Sequence, residues 1–234
     1  MNVSYSVVLP AYNEEKTINR AIDETLVAFE VFGEPFEIIV VDDGSHDQTA
    51  ALVREKQASI PNLLFIKSTE NTGKGGAIKK GVEAATGNLL LFLDCDLATH
   101  PSQFAEFIPH LREHPVVIGS RRIEGSEIAI AQPLYRGLLG ELFNTIIRRY
   151  LGIRSSDTQC GFKAFQTPVA KELFENLQAK GWTFDVELLL KADRAGYSIK
   201  ELPVHWRNGR DSKVSLSDGW RILKELRTLK KTHK

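Results

Sequence analysis

The sequence predicts an α/β fold, a mostly parallel sheet with helices on both faces. Three observations predict it. Short apolar runs alternate with segments whose apolar residues recur at helical spacing, the order of a βαβα chain. These runs are continuous rather than alternating, as in strands buried on both faces. Three of them end in polar groups: Pro10-Ala11-Tyr12-Asn13-Glu14, Asp42-Asp43-Gly44-Ser45 and Asp94-Cys95-Asp96. Open α/β sheets keep their ligand crevice at such strand ends.

The elements follow in order. Ser6 to Leu9 read as a strand ended by Pro10. Asn13 is placed to cap a helix carrying Ile18, Ala21, Ile22, Leu26 and Phe29, which Gly33 stops. Phe36 to Val41 make the second strand and Gln48 to Gln57 the second helix. Leu63 to Ile66 are the third strand. The glycine-rich stretch 71–76 opens a helix over Ala77 to Ala85. Leu89 to Leu93 are the fourth strand and Val116 to Ile118 begin a fifth, with Pro101 to Glu113 between them as one helix.

After Gly119 the pattern changes. Ile123 to Pro133 have no clear period and read as a long loop. Leu134 to Leu151 resume as an amphipathic helix. Gly161 to Phe165 look like a strand, and Thr167 is placed to cap a helix to Leu177 with Pro168 at its first position. Phe184 to Arg194 form a helix stopped by Gly196. Ile199 to Val204 form a strand in which Pro203 points to a sheet edge. Ser217 is placed to cap a last helix with Trp220, Leu223, Leu226 and Leu229 on one side.

Composition sets limits. The 234 residues are 42% hydrophobic and 26% charged, ordinary for a soluble globular protein. Net charge is zero, so nothing argues for nucleic acid. Charge is uneven, however. From Arg207 onward nine Lys or Arg face Asp211, Asp218 and Glu225, leaving the tail at +6 and the rest at −6. That fits either an anionic partner or a solvated helix. Arg221, Lys224, Arg227 and Lys231 share a helical face, as on an interfacial helix at an anionic membrane or on a packed terminal helix. Two cysteines, Cys95 and Cys160, exclude a disulfide framework and zinc spacing. No run reaches the length of a membrane span, and no secretory leader precedes the first strand. The default compartment is the cytosol, with attachment to the cytoplasmic face of a membrane left open.

The strand ends carry the chemistry. Charges do not follow a buried strand into a core, so Asp94 and Asp96 emerge at its carboxyl end. Two hard oxygen ligands there suit Mg²⁺ or Mn²⁺ shared with a phosphorylated substrate; a simple turn is the alternative. Tyr12 can stack on a base, and Asp42 or Asp43 can accept from an imide N–H or ribose hydroxyls. The stretch around Lys74 fails the phosphate-loop spacing, because Gly75 and Gly76 stand where Ser or Thr belongs. Lys74 remains a candidate base or phosphate contact beside the reading of a solvated lysine.

The motifs 8–14, 40–45, 71–75 and 94–96 together resemble the inverting family 2 glycosyltransferases with a GT-A fold. Gly119-Ser120-Arg121, the stretches 157–163 and 182–189, and Gly209 to Lys213 are similar to dolichyl-phosphate sugar synthases, the β-glucosyltransferase branch above all. The resemblance covers about Ser6 to Arg227. It implies one GT-A domain over 1–234, with a nucleotide-sugar half at 1–120 and an acceptor half at 121–234. It implies that Pro10, Tyr12, Glu14, Asp42, Asp43 and Lys74 hold the donor, and that Asp94 and Asp96 hold its metal. Arg121, Arg136, Arg207 and Lys213 would face phosphates on the acceptor side. Asp185 and Glu187 lie where relatives carry an acidic base motif.

The activity so implied is metal-dependent, inverting transfer of a hexose to dolichyl or polyprenyl phosphate. UDP-glucose is the favoured donor and GDP-mannose the alternative. A soluble sugar acceptor, which needs a base, is the rival. Where mannosyl members place a Gln, this chain has Ala98, so the third metal ligand stays open. An acceptor phosphate is largely dianionic at neutral pH and needs no base. Changing Asp185 or Glu187 to the amide should therefore harm activity less than changing Asp94 or Asp96, although Asp96, Arg121, Lys213 and Glu187 are all candidate catalytic residues.

Overall fold

The structure is a computed structural model. It describes residues 3–129, 144–179, 181, 183–207 and 219–232, with the side chains of 219–224 left aside. A seven-stranded sheet has the order β3-β2-β1-β4-β7-β5-β8. Its strands are β1 (Tyr5–Ala11), β2 (Phe36–Asp42), β3 (Leu63–Lys67), β4 (Leu89–Phe92), β5 (Val116–Ser120), β7 (Lys163–Gln166) and β8 (Ile199–Pro203). The pairs β1/β2, β2/β3, β1/β4 and β5/β8 are parallel, and β7 runs antiparallel between β4 and β5. The expected mostly parallel sheet is therefore present, with β8 on the edge that Pro203 indicated.

Strand period two divides the core. Val8, Ile39, Val41, Leu90 and Phe92 face one layer. Val7, Leu9, Ile38, Val40, Leu91 and Leu93 face the other. Helices α1 (Ile18–Glu30), α2 (Thr49–Gln57) and α3 (Lys74–Ala84) belong to the nucleotide half. Strand order reverses at β1, with β2 on one side and β4 on the other, so a crevice opens at their carboxyl ends.

Several local readings are corrected. Residues 101–113 are not one helix: they divide into 3₁₀ turns at Pro101–Gln103 and His110–Arg112 around a short α4 (Phe104–Phe107). Pro109 lacks the N–H that would continue the ladder. Within the expected loop 123–133, β6 (Glu127–Ile128) pairs with β9 (His205–Trp206). Helix α5 is described over 144–151; its expected start at Leu134 lies outside the described residues. Helix α6 (Thr167–Glu175) takes Gln166 as its N-cap, so Thr167 caps nothing and its buried Oγ1 has no partner. Helix α7 (Phe184–Arg194) begins as expected. Helix α8 (Gly219–Thr232) turns Leu226 and Leu229 into the core; Ser217 lies outside the described residues.

Candidate active site

Asp42 at the end of β2 pairs with Ala11 at the end of β1, which brings the first two polar groups together. Asn13 sits in the left-handed region at φ 54°. It does not cap α1. Its N–H donates to Ser45 Oγ at 2.9 Å and its Oδ1 accepts from the His46 N–H at 2.9 Å. A short amide side chain tolerates that conformation and ties the two strand ends to each other. Tyr12 beside it is 36% exposed, its ring 6.4 Å from that of His46. Glu14 accepts from Thr17 Oγ1 at 2.6 Å. The Pro10 carbonyl accepts from the Cys95 thiol at 3.3 Å, so Cys95 turns inward to a packing role.

The two neighbouring aspartates do different work. Asp43 accepts from the Thr72 N–H (2.9 Å), the Thr72 hydroxyl (2.7 Å) and the Gly73 N–H (2.7 Å). It pins the glycine-rich turn from which α3 starts. Asp42 is wholly buried and accepts from the Ser45 N–H at 3.0 Å through Oδ1 alone. Its Oδ2 is buried with no hydrogen-bond partner among the described residues. A buried acceptor without a donor is costly, so Asp42 Oδ2 has capacity for one more hydrogen bond.

Strand β4 delivers Asp94 and Asp96. The Leu97 N–H donates to the Asp94 carbonyl at 3.0 Å with Leu97 at φ 52°, and Asp96 Oδ1 accepts from the Ala98 N–H at 3.0 Å. Asp94 Oδ1 lies 2.6 Å from Lys74 Nζ. Lys74 is therefore neither solvated nor pointed away: it opens α3 directly over the carboxylates. Burial and then the charge of Asp94 push the Asp96 carboxyl above its ordinary range. A divalent cation would relieve that, and two carboxylates leave room for diphosphate oxygens and water, the usual Mg²⁺ arrangement. The residues fit such an ion. Among the described residues no group of three His, Cys, Asp or Glu is placed to hold one.

On the acceptor side Arg121 forks onto Asp157, Nε to Oδ2 at 2.7 Å and Nη2 to Oδ1 at 2.9 Å. Its backbone N–H adds a third bond to Asp157 Oδ2 at 3.1 Å. Burial opposes ionisation of Asp157, yet the guanidinium holds its carboxyl down to about 2. Burial opposes the charge of Arg121 as well, and Asp157 raises its pKa all the same. The guanidinium carbon lies 5.4 Å from the centre of the Trp206 ring. Trp206 in turn walls a small cavity with Asp94, Asp96, Ala98 and Gly161. Arg121 is thus linked to that cavity through Trp206, and stands as half of a buried pair. Arg207 is exposed, and its N–H donates to the Ala98 carbonyl at 2.7 Å. Arg136 and Lys213 lie outside the described residues.

Glu187, a candidate acid or base by resemblance, is engaged with the backbone. Glu187 is wholly buried on α7, and both its oxygens accept from backbone N–H groups: Gln178 at 3.0 Å to each, and Ala179 at 2.6 Å. It anchors a loop. Asp185 is also buried and accepts from Lys163 Nζ at 2.5 Å. Burial raises the Asp185 pKa, against the pull of Lys163 and Lys74.

Three residues gained roles that sequence reasoning had not given them. Lys163, wholly buried on β7, donates to Asp185 and to the Cys160 carbonyl. Gly161 underlies Asp94, and Trp206 carries Arg121. Lys163 and Gly161 fall inside the 157–163 stretch, so a signal existed without a role. Trp206 gave none, because an aromatic in a short strand ordinarily reads as core.

The crevice thus gathers the carboxylates of Asp42, Asp43, Asp94 and Asp96 at the strand ends, and comparison with known proteins supplies the family. The model of glycosyl transferase family 2 matches residues 6–174. The chain belongs to that family. It is 35% identical over 218 residues to "Glycosyltransferase AglD" of Haloferax volcanii, covering 92% of this chain and 35% of that protein. It is 37% identical over 223 residues to "Dolichyl-phosphate beta-glucosyltransferase ALG5C" of Trichomonas vaginalis, covering 90% of this chain and 66% of that protein. The chain thus spans about a third and just under two thirds of these relatives. Glucosyl-3-phosphoglycerate synthase from Mycobacterium tuberculosis, solved with Mn²⁺, UDP and phosphoglyceric acid, superposes with a TM-score of 0.71 at 23% identity. The match covers 99% of this chain and 78% of that one, and establishes the GT-A fold.

Proposed function

We propose that this protein transfers glucose from UDP-glucose to a dolichyl or polyprenyl phosphate, with inversion at the anomeric carbon. The observation that carries the donor half is Asp42 Oδ2, a buried acceptor held at the same sheet edge as Asp94 and Asp96. A uracil imide N–H or a ribose hydroxyl suits it. The acceptor half rests on the printed activity of relatives that match about nine tenths of this chain.

The chain's own residues divide the work. Tyr12 and Asp42 bind the nucleoside, and Asp43 holds the turn that presents Lys74. Asp94 and Asp96 would hold Mg²⁺ or Mn²⁺, which neutralises a leaving diphosphate when bound. The acceptor phosphate oxygen attacks the anomeric carbon as the bond to the diphosphate oxygen breaks, and an α-linked donor gives a β-linked product. Arg121, fixed by Asp157 and Trp206, places positive charge beside that path. No base is required, because the phosphate is already largely dianionic.

We propose a cytosolic location that leaves attachment to the cytoplasmic face of a membrane open. Ile146 and Tyr150 are exposed on α5, Arg227 and Lys231 on α8, and Lys230 Nζ lies 4.0 Å from the Tyr150 ring centre. No helix of the described residues is long and apolar enough to cross a membrane.

The test is incubation with Mn²⁺ or Mg²⁺, labelled UDP-glucose or GDP-mannose, and a short polyprenyl phosphate. An organic-soluble product from UDP-glucose supports the proposal. Label transferred only to a soluble sugar or a phosphorylated small molecule overturns the lipid acceptor, and product from GDP-mannose alone overturns the glucosyl assignment.

A further inference from the structure

Lys74 is the first residue of α3 and Asp185 the second of α7. The two helix starts touch because residue 75 is glycine. A Cβ there would stand 2.6 Å from Phe184 Cβ and 2.8 Å from the Ala179 carbonyl oxygen. This close approach lays the Lys74 ammonium 5.8 Å from the centre of the Phe184 ring. The ammonium then ends 2.6 Å from Asp94 Oδ1. Asp185, paired with Lys163 at 2.5 Å, acts electrostatically on both Lys74 and Asp94. The charges alternate from the core outward: Lys163, Asp185, Lys74, Asp94, with Asp96 at the open end.

The ammonium therefore occupies a carboxylate that the donor's metal also needs. A cation arriving alone would meet a fixed like charge whose partner it must take, in a partly buried site where such charges interact strongly. A diphosphate arriving with it gives the displaced ammonium a new partner.

We propose that Lys74 is a resident stand-in for the divalent cation, releasing Asp94 only when a nucleoside diphosphate arrives to receive its ammonium. Asp185 is the positioning residue: its charge keeps the ammonium stable between partners. Metal and nucleotide then bind with positive coupling in which Lys74 has a share. This inference rests on the donor site proposed above.

The experiment measures Mn²⁺ binding to the full chain by electron paramagnetic resonance, with and without UDP. In the unaltered protein UDP tightens Mn²⁺ binding, by roughly 5- to 150-fold if the coupling is of ordinary size. Lys74→Met binds Mn²⁺ alone more tightly than the unaltered protein, and its coupling to UDP is smaller. Misfolding cannot tighten binding. A mere field effect of a nearby lysine would shift Mn²⁺ affinity alike with and without UDP, so unchanged coupling overturns the proposal. Equal or weaker Mn²⁺ binding by Lys74→Met overturns it too. Asp185→Asn, which removes one of the charges acting on the lysine, weakens Mn²⁺ binding in the absence of UDP; tighter binding counts against the positioning role. If the unaltered protein binds neither Mn²⁺ nor UDP, the donor-site reading itself falls. If it binds both and Lys74→Met changes nothing, only this inference does.

Discussion

The Asp94 carboxylate lies directly on Gly161: a Cβ added there would stand 2.1 Å from Asp94 Oδ2. The loop that carries Asp157, the partner of Arg121, is thus also the floor under Asp94. Gly161→Ala must push Asp94 aside, and a carboxylate end can move at little cost to the fold. Melting temperature should stay close to that of the unaltered protein, while UDP affinity in the presence of Mn²⁺, measured by calorimetry, falls severalfold or more. Unchanged affinity would show that Asp94 is not held in place from below.

Asp42 supplies the second prediction. Its buried Oδ2 has no partner among the described residues. In Asp42→Asn, an amide N–H₂ oriented toward the ligand would be a donor facing a donor. A hydrogen bond to a charged group contributes about 1.5–3 kcal/mol, so UDP affinity should drop by roughly tenfold to a hundredfold. The ligand-free protein should be no less stable, because a buried charge short of donors is removed. A variant that loses stability but binds UDP normally would refute the assignment.

Glu187 should behave as structure rather than chemistry. Glu187→Gln replaces one of two accepting oxygens with a donor that faces the N–H groups of Gln178 and Ala179. The expected cost is about 1–3 kcal/mol of stability. Below the lowered melting temperature, turnover per folded molecule should remain within a few-fold. Abolished turnover with donor binding and folding intact would restore a base at this position.

The Arg121–Asp157 pair should shape acid stability. Its carboxyl is held from 3.8 down to about 2. A depressed carboxyl stabilises the fold fully above its unfolded value and loses that contribution as pH falls through the folded one. Between about pH 4 and pH 2 the fold should therefore lose about 2 kcal/mol from this group. Denaturant titrations across that window, compared with Asp157→Asn, isolate it. The variant should be less stable at pH 7 and should lack this part of the acid slope.

Much of the fold was legible because apolar period and strand-end chemistry are local. Leu89 to Leu93 running into Asp94 and Asp96 announced a buried strand with its ligands at the carboxyl end, and Pro203 announced an edge. Local reasoning failed where a distant partner decided the outcome. Asn13 had a cap's composition, but its side chain found His46 across the crevice. Residues 101–113 had a helical face, yet Pro109 divides it.

The sequence by itself determined the alternation of strands and helices, the family, and which carboxylates stand at the sheet edge. Each of these depends on residue types and spacings along the chain. Only the tertiary structure decided that Asp42 rather than Asp43 keeps an open acceptor. It also decided that Glu187 is anchored, that Arg121 is already forked onto Asp157, and that Lys74 covers Asp94. The reason is that an ionised side chain's role depends on its partners. Apart from the bond of Asp42 to nearby Ser45, those partners lie 8 to 36 residues away in the chain and meet only once the sheet and its helices have packed.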